Sequence, residues 1–163
     1  MQRNLPAHLK QILQKIPSTA HPMDVMRCVS SVLGTLEPEN GQDINQYSIS
    51  IRLVALFGPA LLYWYHFHKN GVKINGYTGD NDSVALNFMK LMTLKNEVDP
   101  LLVKTVDISL ILYAEHDFNA STFNARVTAS TLSDFYSCIT SAIGTLRGPL
   151  HGGANEAAMH FLK

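Results

Sequence analysis

The sequence predicts an all-α fold for this 163-residue chain. Three observations support this prediction. Apolar residues recur at steps of three and four along most of the chain, as on the buried face of a helix. Proline, glycine and capping residues divide these stretches into about eight helices. Sustained apolar–polar alternation, which is typical of half-buried strands, is missing, and so are internal repeats.

The first two predicted helices begin at prolines. Proline suits the first turn of a helix, where its missing N–H costs nothing. We therefore expect one helix to start near Pro6 and end at Pro17, and a second to start at Pro22 and run into a loop over residues 37–43. Apolar side chains recur at helical spacing in both, namely Leu9, Ile12, Leu13 and Ile16 in the first and Met23, Met26, Val29, Leu33 and Leu36 in the second.

A long apolar helix is predicted from about residue 44 to residue 69. Pro59 lies inside it and should bend or interrupt it, because proline removes one backbone hydrogen bond. Asn70 and Gly71 end the helix. The most apolar run, residues 53–65, is too short for a membrane span, so we interpret it as part of a buried helix.

Capping residues mark the later helices. Ser, Asp and Asn side chains accept hydrogen bonds from the free N–H groups at the start of a helix. These helices are predicted from Asp82-Ser83 to Met92, from Asp99-Pro100 to about Tyr113, from Asn119 to Ser130 and from Ser133-Asp134 to Gly148, with a last helix from Gly152 or Gly153. Because no linker separates the predicted helices, a single domain is expected.

The composition limits the class of protein. Hydrophobic residues make up 46% of the chain and charged residues 16%, against roughly 25% charged residues in typical soluble domains. We therefore expect apolar surface that a partner subunit or a further domain covers. The 13 basic and 13 acidic residues balance, so the chain lacks the basic face that nucleic-acid binding needs.

The cysteines and the first residues predict a soluble cytoplasmic protein. Cys28 and Cys138 lie among apolar neighbours, which favours two buried free thiols in a reducing compartment over a disulfide. Residues 1–6 are mostly polar and contain no apolar signal region.

Three other histidines are expected to be structural. His66 and His68 lie two residues apart on a predicted helix and point to different sides, which argues against a shared metal ion. We expect them in solvated or capping positions near the helix end. His21, before Pro22, is expected to form part of a turn.

His151 is the first candidate functional residue. It follows Gly148-Pro149-Leu150 and precedes Gly152-Gly153, so it lies where proline ends one helix and glycines let a ligand approach the backbone. A histidine beside a helix N-terminus is disfavoured as a cation and can donate a hydrogen bond to a carbonyl oxygen, as in triosephosphate isomerase. The pattern equally allows a polar residue that satisfies backbone groups in a tight turn.

His116 and Asn119 are the other candidates. Glu115 and Asp117 flank His116, and neighbouring carboxylates favour its protonated form, which suits an anionic, oxygen-rich substrate. A solvated loop residue in a local ion pair is the alternative. Asn119 could donate its amide to the same ligand, but capping of the helix that starts at residue 120 is the favoured role.

Four segments together resemble the citrate synthase superfamily, and most of all its 2-methylcitrate synthase members. They are HPMDVMR at residues 21–27, LYWYH at 62–66, YAEHDFNASTF at 113–123 and GPLHGGANE at 148–156. The resemblance covers nearly the whole chain in matching order, so it is specific. It implies that residues 1–163 form part of the large helical domain, a multi-helical segment of an all-α fold.

The resemblance also implies a reaction. Superfamily members condense an acyl-coenzyme A thioester with oxaloacetate, and they are helical homodimers. By motif, His151 would be the catalytic histidine that hydrogen-bonds the thioester carbonyl and stabilises its enol, His116 would bind oxaloacetate, and Asn119 would lie beside that ligand. Coenzyme A enters as part of a substrate. No bound cofactor or metal is expected, and neither nucleic acid nor a membrane is an expected partner.

The chain is much shorter than the superfamily members that it resembles. Their N-terminal part, second histidine, aspartate base and substrate-binding arginines have no match in it, so we expect it to be inactive alone. For the intact enzyme, propionyl-CoA and oxaloacetate giving 2-methylcitrate and CoA is the expected reaction, and citrate synthase chemistry with acetyl-CoA is the alternative. A non-catalytic helical dimerisation module is the alternative of another class.

Overall fold

A computed structural model of the chain describes residues 3–39, 46–115 and 117–153. Over these ranges the fold is all-α, as predicted, with seven helices and no strand. The last predicted helix, after Gly153, lies outside the described residues. The helices are α1 (Ala7–Lys15), α2 (Pro22–Leu36), α3 (Gln46–Asn70), α4 (Val84–Thr93), α5 (Pro100–Leu112), α6 (Ala120–Ser130) and α7 (Phe135–Leu146).

The helices belong to two compact units. The first unit contains Met1–Ser18 and Tyr47–Asp117, and the second contains Thr19–Gln46 and Phe118–Lys163. The first unit therefore holds α1, α4, α5 and nearly all of α3, and the second holds α2, α6 and α7.

α3 supplies most of the core of the first unit. Leu9 and Leu13 of α1 are fully buried in this unit, which confirms two of the four predicted core positions, whereas Ile12 is exposed. Gln14 Nε2 donates a hydrogen bond of 2.6 Å to the Tyr63 hydroxyl of α3. The buried residues of α3 are Ile49, Leu53, Leu56, Pro59, Ala60, Leu62, Tyr63, Trp64 and His66.

α3 runs through Pro59 without ending there, so the predicted interruption is wrong. Proline costs a helix one hydrogen bond, and the apolar burial on both sides of Pro59 offsets that loss. The helix ends at Asn70, and Gly71 has φ of 68°, as the Asn-Gly pair predicted. With 25 residues, α3 is the one described helix long and apolar enough to cross a membrane, but its buried face is that of a core helix.

Side-chain caps begin five of the described helices where the sequence placed them. Each cap satisfies one N–H group that has no partner inside the helix. The local pattern therefore predicts these helix starts well. The acceptors are His21 for Met23, Ser83 for Leu86, Asp99 for Leu101, Asn119 for Thr122 and Asp134 for Ser137.

α7 packs against both α2 and α6 in the second unit. α2 contributes the fully buried side chains Val25, Val29 and Leu33, and α7 contributes Tyr136 and Ile143. The side chains of α6, in contrast, are never fully buried among the described residues. α6 therefore contacts α7 with little apolar area.

Two expectations about burial are wrong. Cys28 is exposed and only Cys138 is buried, although both are free thiols as predicted. Cys28 lies outside the arc of α2 that carries Val25 and Val29, because sequence neighbours on a helix point in different directions. His66 is buried rather than solvated, and its Nε2 lies 2.8 Å from the Leu91 carbonyl oxygen.

The loop before α4 is held by an acidic side chain. Asp82 accepts hydrogen bonds from the Thr78 hydroxyl over 2.5 Å and from Lys90 Nζ over 3.0 Å. Its side chain is only 11% exposed. The hydrogen bond from Thr78, and then that from Lys90, lower the pKa of Asp82 below its ordinary value.

This lowered pKa predicts a pH-dependent contribution to stability. A carboxyl whose pKa is lower in the folded state stabilises the fold fully above its unfolded pKa, about 3.9, and loses that effect as the pH falls through the folded pKa. We expect Asp82→Asn to lower the free energy of unfolding by about 1 kcal/mol at pH 7, after allowance for solvent screening. The difference should shrink below about pH 4. Urea denaturation at several pH values measures it, with Asp107→Asn, an exposed carboxylate on α5, as the control. Equal losses in the two variants would contradict the prediction.

Candidate active site

The turn that carries His151 follows α7 directly. α7 ends at Leu146, and the backbone N–H of Gly152 donates to the Leu146 carbonyl over 3.1 Å. The N–H of His151 donates to the Gly148 carbonyl over 3.0 Å. These bonds close residues 148–152 into a tight turn. The end of α7 is therefore where the sequence predicted it.

Gly152 is a steric requirement of this turn. A Cβ atom at this position would lie 2.0 Å from the Leu146 carbonyl oxygen. At Gly153, the atom nearest to an added Cβ would be Pro149 Cβ at 3.7 Å, which is an ordinary van der Waals contact. The two adjacent glycines thus differ: the first leaves no room for a side chain, and the second does.

The His151 ring contacts the first turn of α6. Its Nε2 lies 2.7 Å from the Ser121 hydroxyl oxygen, although the two residues are 30 positions apart in the chain. Ser121 also lies 2.9 Å from Asn119 Oδ1, to which it can donate. No hydrogen-bond partner for the His151 Nδ1 is found within the described ranges.

The single proton of the Ser121 hydroxyl sets the tautomer of His151. If Ser121 donates to Asn119, the Nε2–H of His151 donates to Ser121 and a neutral ring has a bare Nδ1. If Ser121 donates to Nε2, a neutral ring carries its proton on Nδ1. In the second arrangement Nδ1–H is free to donate to a ligand.

Asn119 has the capping role that the sequence favoured. Its Oδ1 accepts the Thr122 N–H over 2.8 Å and lies 2.9 Å from the Ser121 hydroxyl oxygen. Its Nδ2 has no partner in the part of the chain that the structure describes. Capping therefore occupies the oxygen of the amide and leaves two N–H donors, so a cap and a ligand contact are compatible.

His116 lies outside the described residues, and its predicted convergence with His151 stays a prediction. Of its two neighbours, Glu115 accepts the Asp117 N–H through Oε1 over 2.6 Å. Asp117 has φ of 50°, a left-handed conformation that aspartate tolerates better than most residues. One flanking carboxylate is thus already engaged by the backbone.

An ion pair connects the end of α7 to the start of α2. Arg147 Nε lies 3.5 Å from Asp24 Oδ2, and Arg27 NH2 lies 3.2 Å from Asp24 Oδ1. The side chains of Arg147 and Asp24 are 40% and 35% exposed. Such a pair contributes only about 0–1 kcal/mol. The sequence assigned no role to Arg147, and this contact is too weak to fix the turn by itself.

A cavity of about 740 Å³ lies beside Ser121 and includes Cys138. Burial raises the pKa of the Cys138 thiol, and the nearby Asp134 carboxylate raises it further. The thiol is therefore protonated at neutral pH and is a poor nucleophile. His151 does not line this cavity. In the described ranges, no three His, Cys, Asp or Glu side chains cluster closely enough to hold a metal ion.

Comparison with known proteins decides the family. The model of the citrate synthase C-terminal domain family matches residues 1–163. The chain belongs to the citrate synthase family. The prediction from the four sequence segments is thereby confirmed.

The similar proteins within this family carry two different names. The chain is 54% identical over 161 residues to a 2-methylcitrate synthase of Shewanella oneidensis, covering 99% of the chain and 42% of that protein. It is 40% identical over 165 residues to a citrate synthase of Synechocystis, covering 99% of the chain and 40% of that protein. The crystal structure of citrate synthase from Thermotoga maritima superposes with a TM-score of 0.80 at 36% identity, covering 99% of the chain and 41% of that structure. The chain thus spans about two fifths of the length of these relatives.

Ser121 is the residue of the candidate site that the sequence did not predict. No Gly-x-Ser-x-Gly motif surrounds it, so the local sequence does not indicate a hydrolase nucleophile there. Its contact with His151 joins residues 30 positions apart. The Asn119-Ala120-Ser121 spacing does place the hydroxyl at the start of a capped helix, which is the only local signal for its position.

Proposed function

We propose that the chain supplies His151, His116 and Asn119 to the active site of an acyltransferase that condenses an acyl-CoA thioester with oxaloacetate. The contact of Ser121 with the His151 ring carries this proposal. A catalytic hydrogen-bond donor must be held in one orientation and one tautomer, because it is effective only where negative charge develops. The contact with Ser121 constrains the orientation of the ring, and donation of its hydroxyl to Nε2 would also fix the tautomer.

His151 would act as the donor to the thioester carbonyl oxygen. When Ser121 donates to Nε2 rather than to Asn119, the Nδ1–H of His151 faces no partner in the described ranges and is available for this role. When a base removes a proton from the carbon next to the carbonyl, charge moves to that oxygen, and the Nδ1–H donor stabilises the enol that forms. The enol carbon then attacks the keto carbon of oxaloacetate, and the keto oxygen takes up a proton to become a hydroxyl. Water would then hydrolyse the thioester bond and release CoA.

His116 and Asn119 would hold the keto-diacid. Glu115 and Asp117 beside His116 favour an imidazolium, which matches a dicarboxylate in charge. The Nδ2 of Asn119 adds a neutral donor close to Ser121, since its Oδ1 already caps α6. The aspartate base and the arginines for the carboxylates would come from outside these 163 residues, so the isolated chain should show no turnover.

Propionyl-CoA is the proposed acyl donor, which would make 2-methylcitrate the product. The 54% identity to the 2-methylcitrate synthase of Shewanella oneidensis supports this choice. The two thioesters differ by one methylene, which a pocket discriminates by about 1–3 kcal/mol, or roughly 10–200-fold. CoA serves as part of a substrate, and we place the enzyme in the cytoplasm.

A chimera tests the substrate assignment. The matching 161-residue segment of the Shewanella protein is replaced by this chain, so that the remaining active-site residues are present. We expect kcat/KM for propionyl-CoA to exceed that for acetyl-CoA by about 10-fold or more, measured by release of free CoA. Light scattering and circular dichroism first establish that the chimera is folded. Preference for acetyl-CoA would contradict the 2-methylcitrate assignment but not the family.

A helical dimerisation module is the second candidate function, and the exposure of α5 favours it. α5 is apolar along most of its length, yet none of its residues is buried. Leu101, Ile111 and Leu112 are about two thirds exposed or more, at 69%, 68% and 71%. A helix that is apolar on all sides is normally covered. We propose that a second copy of the chain covers it.

The oligomeric state of the chain tests the module. We expect light scattering to give a dimer for the unchanged chain and a shift to monomer for Ile111→Asp, because a charge in an apolar contact is costly. Val54→Asp, at an exposed position of α3, is the control and should leave the dimer intact. A monomeric unchanged chain would contradict this role.

A further inference from the structure

A ladder of polar side chains joins α6 to α7. Asn124 Nδ2 of α6 donates to the Thr145 hydroxyl over 2.5 Å and to the Ser141 carbonyl over 3.1 Å. The Thr128 hydroxyl oxygen of α6 lies 3.1 Å from Ser141 Oγ and 3.0 Å from the Asn124 carbonyl oxygen of its own helix. The Thr145 hydroxyl donates in turn to the Ser141 carbonyl over 3.1 Å. The Asn124 amide is therefore the donor of α6 with two acceptors on α7.

This ladder supplies directional contacts between α6 and α7, which apolar packing does not. α6 has no buried residue, so apolar contacts alone leave its sliding and rotation poorly determined. Hydrogen bonds are directional and weaken steeply when the angle departs from linearity. Asn124 forms two of them from a single nitrogen that carries two hydrogens. Asn124 is thus the residue that defines the position of α6 most closely.

The backbone and the ring of His151 are both connected to these contacts between α6 and α7. The Thr145 carbonyl accepts the N–H of Gly148 over 3.1 Å, and the Gly148 carbonyl accepts the N–H of His151 over 3.0 Å. The ring of His151 contacts Ser121, which lies one helical turn before Asn124 on α6. The backbone of the turn is therefore hydrogen-bonded to Thr145, which Asn124 binds. The ring of His151 contacts α6, the helix that contains Asn124.

We propose that Asn124 is a positioning residue for His151. Through Thr145 it keeps α6 in the register that holds the Ser121 hydroxyl within hydrogen-bond distance of Nε2 and so selects the tautomer of the ring. The catalytic importance of this tautomer rests on the proposed function. The positional effect on the ring does not, because it concerns only contacts within the second unit.

Nuclear magnetic resonance of the His151 imidazole in the 163-residue chain tests the proposal. The ¹⁵N shifts of Nδ1 and Nε2 report how the proton is shared between them. We expect one dominant tautomer in the unchanged chain. Asn124→Ala should move both shifts toward the mixed values of a free histidine, and so should Thr145→Val, which removes the hydroxyl but keeps the shape of the side chain. Thr145→Ser keeps the hydroxyl and should restore the unchanged signature.

Ser130→Ala is the matched control, because Ser130 lies on the same helix and, among the described residues, its hydroxyl bonds to the Val127 carbonyl alone. It should leave the His151 shifts unchanged. Circular dichroism establishes whether each variant is folded. If Asn124→Ala unfolds, the comparison of Thr145→Val with Thr145→Ser tests the positioning role instead. Unchanged His151 shifts in folded Asn124→Ala or Thr145→Val would overturn the positioning role. An inactive chimera with intact shifts would instead argue against the proposed function alone.

Discussion

Replacement of His151 with alanine is expected to lower kcat of the chimera by about 10²–10⁴-fold, while KM for oxaloacetate changes little. The variant loses the Nδ1–H donor that would meet the thioester oxygen as charge develops on it. Loss of one such donor costs about 10²–10³-fold in comparable sites, and loss of a proton-transfer group costs up to the larger figure. Steady-state kinetics with propionyl-CoA provide the measurement.

The control for this variant is His8→Ala, which removes an exposed histidine of α1. It should retain full activity and show that loss of a histidine is not damaging in itself. If His151→Ala keeps more than a tenth of kcat, His151 is a residue of a structural turn, which was the alternative that the sequence left open.

Gly152→Ala should lower both the activity and the stability of the chimera. The new methyl group would meet the Leu146 carbonyl oxygen at 2.0 Å, so the turn must open and the hydrogen bond from the residue 152 N–H is lost. The displaced ring then loses Ser121. We expect kcat to fall by at least about 10-fold and the free energy of unfolding to fall by about 1–3 kcal/mol.

Gly153→Ala separates this steric effect from a general need for glycine. Its Cβ would meet Pro149 Cβ at 3.7 Å and the Gly148 carbonyl oxygen at 3.9 Å, both of which are ordinary van der Waals contacts. Activity and stability should therefore stay close to those of the unchanged chimera. Equal losses at both positions would mean that the shape of the turn differs from the one described, and equal tolerance would mean that the turn does not hold His151.

The helix starts could be predicted because their causes are local. Ser83, Asp99 and Asn119 each accept an N–H two or three residues further along the chain, and such a contact is visible in the sequence itself. The same holds for Gly71, whose positive φ ends α3. The family, too, could be predicted, because the four segments retain their order.

Burial and the partner of His151 could not be predicted in this way. Cys28 has apolar neighbours in sequence but lies outside the buried arc of α2. His66 is buried because α4 brings the Leu91 carbonyl to its ring. The contact of Ser121 with His151 exists only where α6 and the turn after α7 lie together. Each of these outcomes depends on the position of a second helix, which periodicity along one helix does not determine.

The central claim is that the imidazoles of His116 and His151 line one cavity that holds oxaloacetate and the acyl group. A crystal structure of the folded chimera with oxaloacetate measures this most directly. We predict that the His116 ring lies within hydrogen-bond distance of oxaloacetate, with the Nδ1 of His151 facing the same cavity and its Nε2 on Ser121. Rings on opposite sides of the protein, or oxaloacetate bound away from both, would contradict the claim.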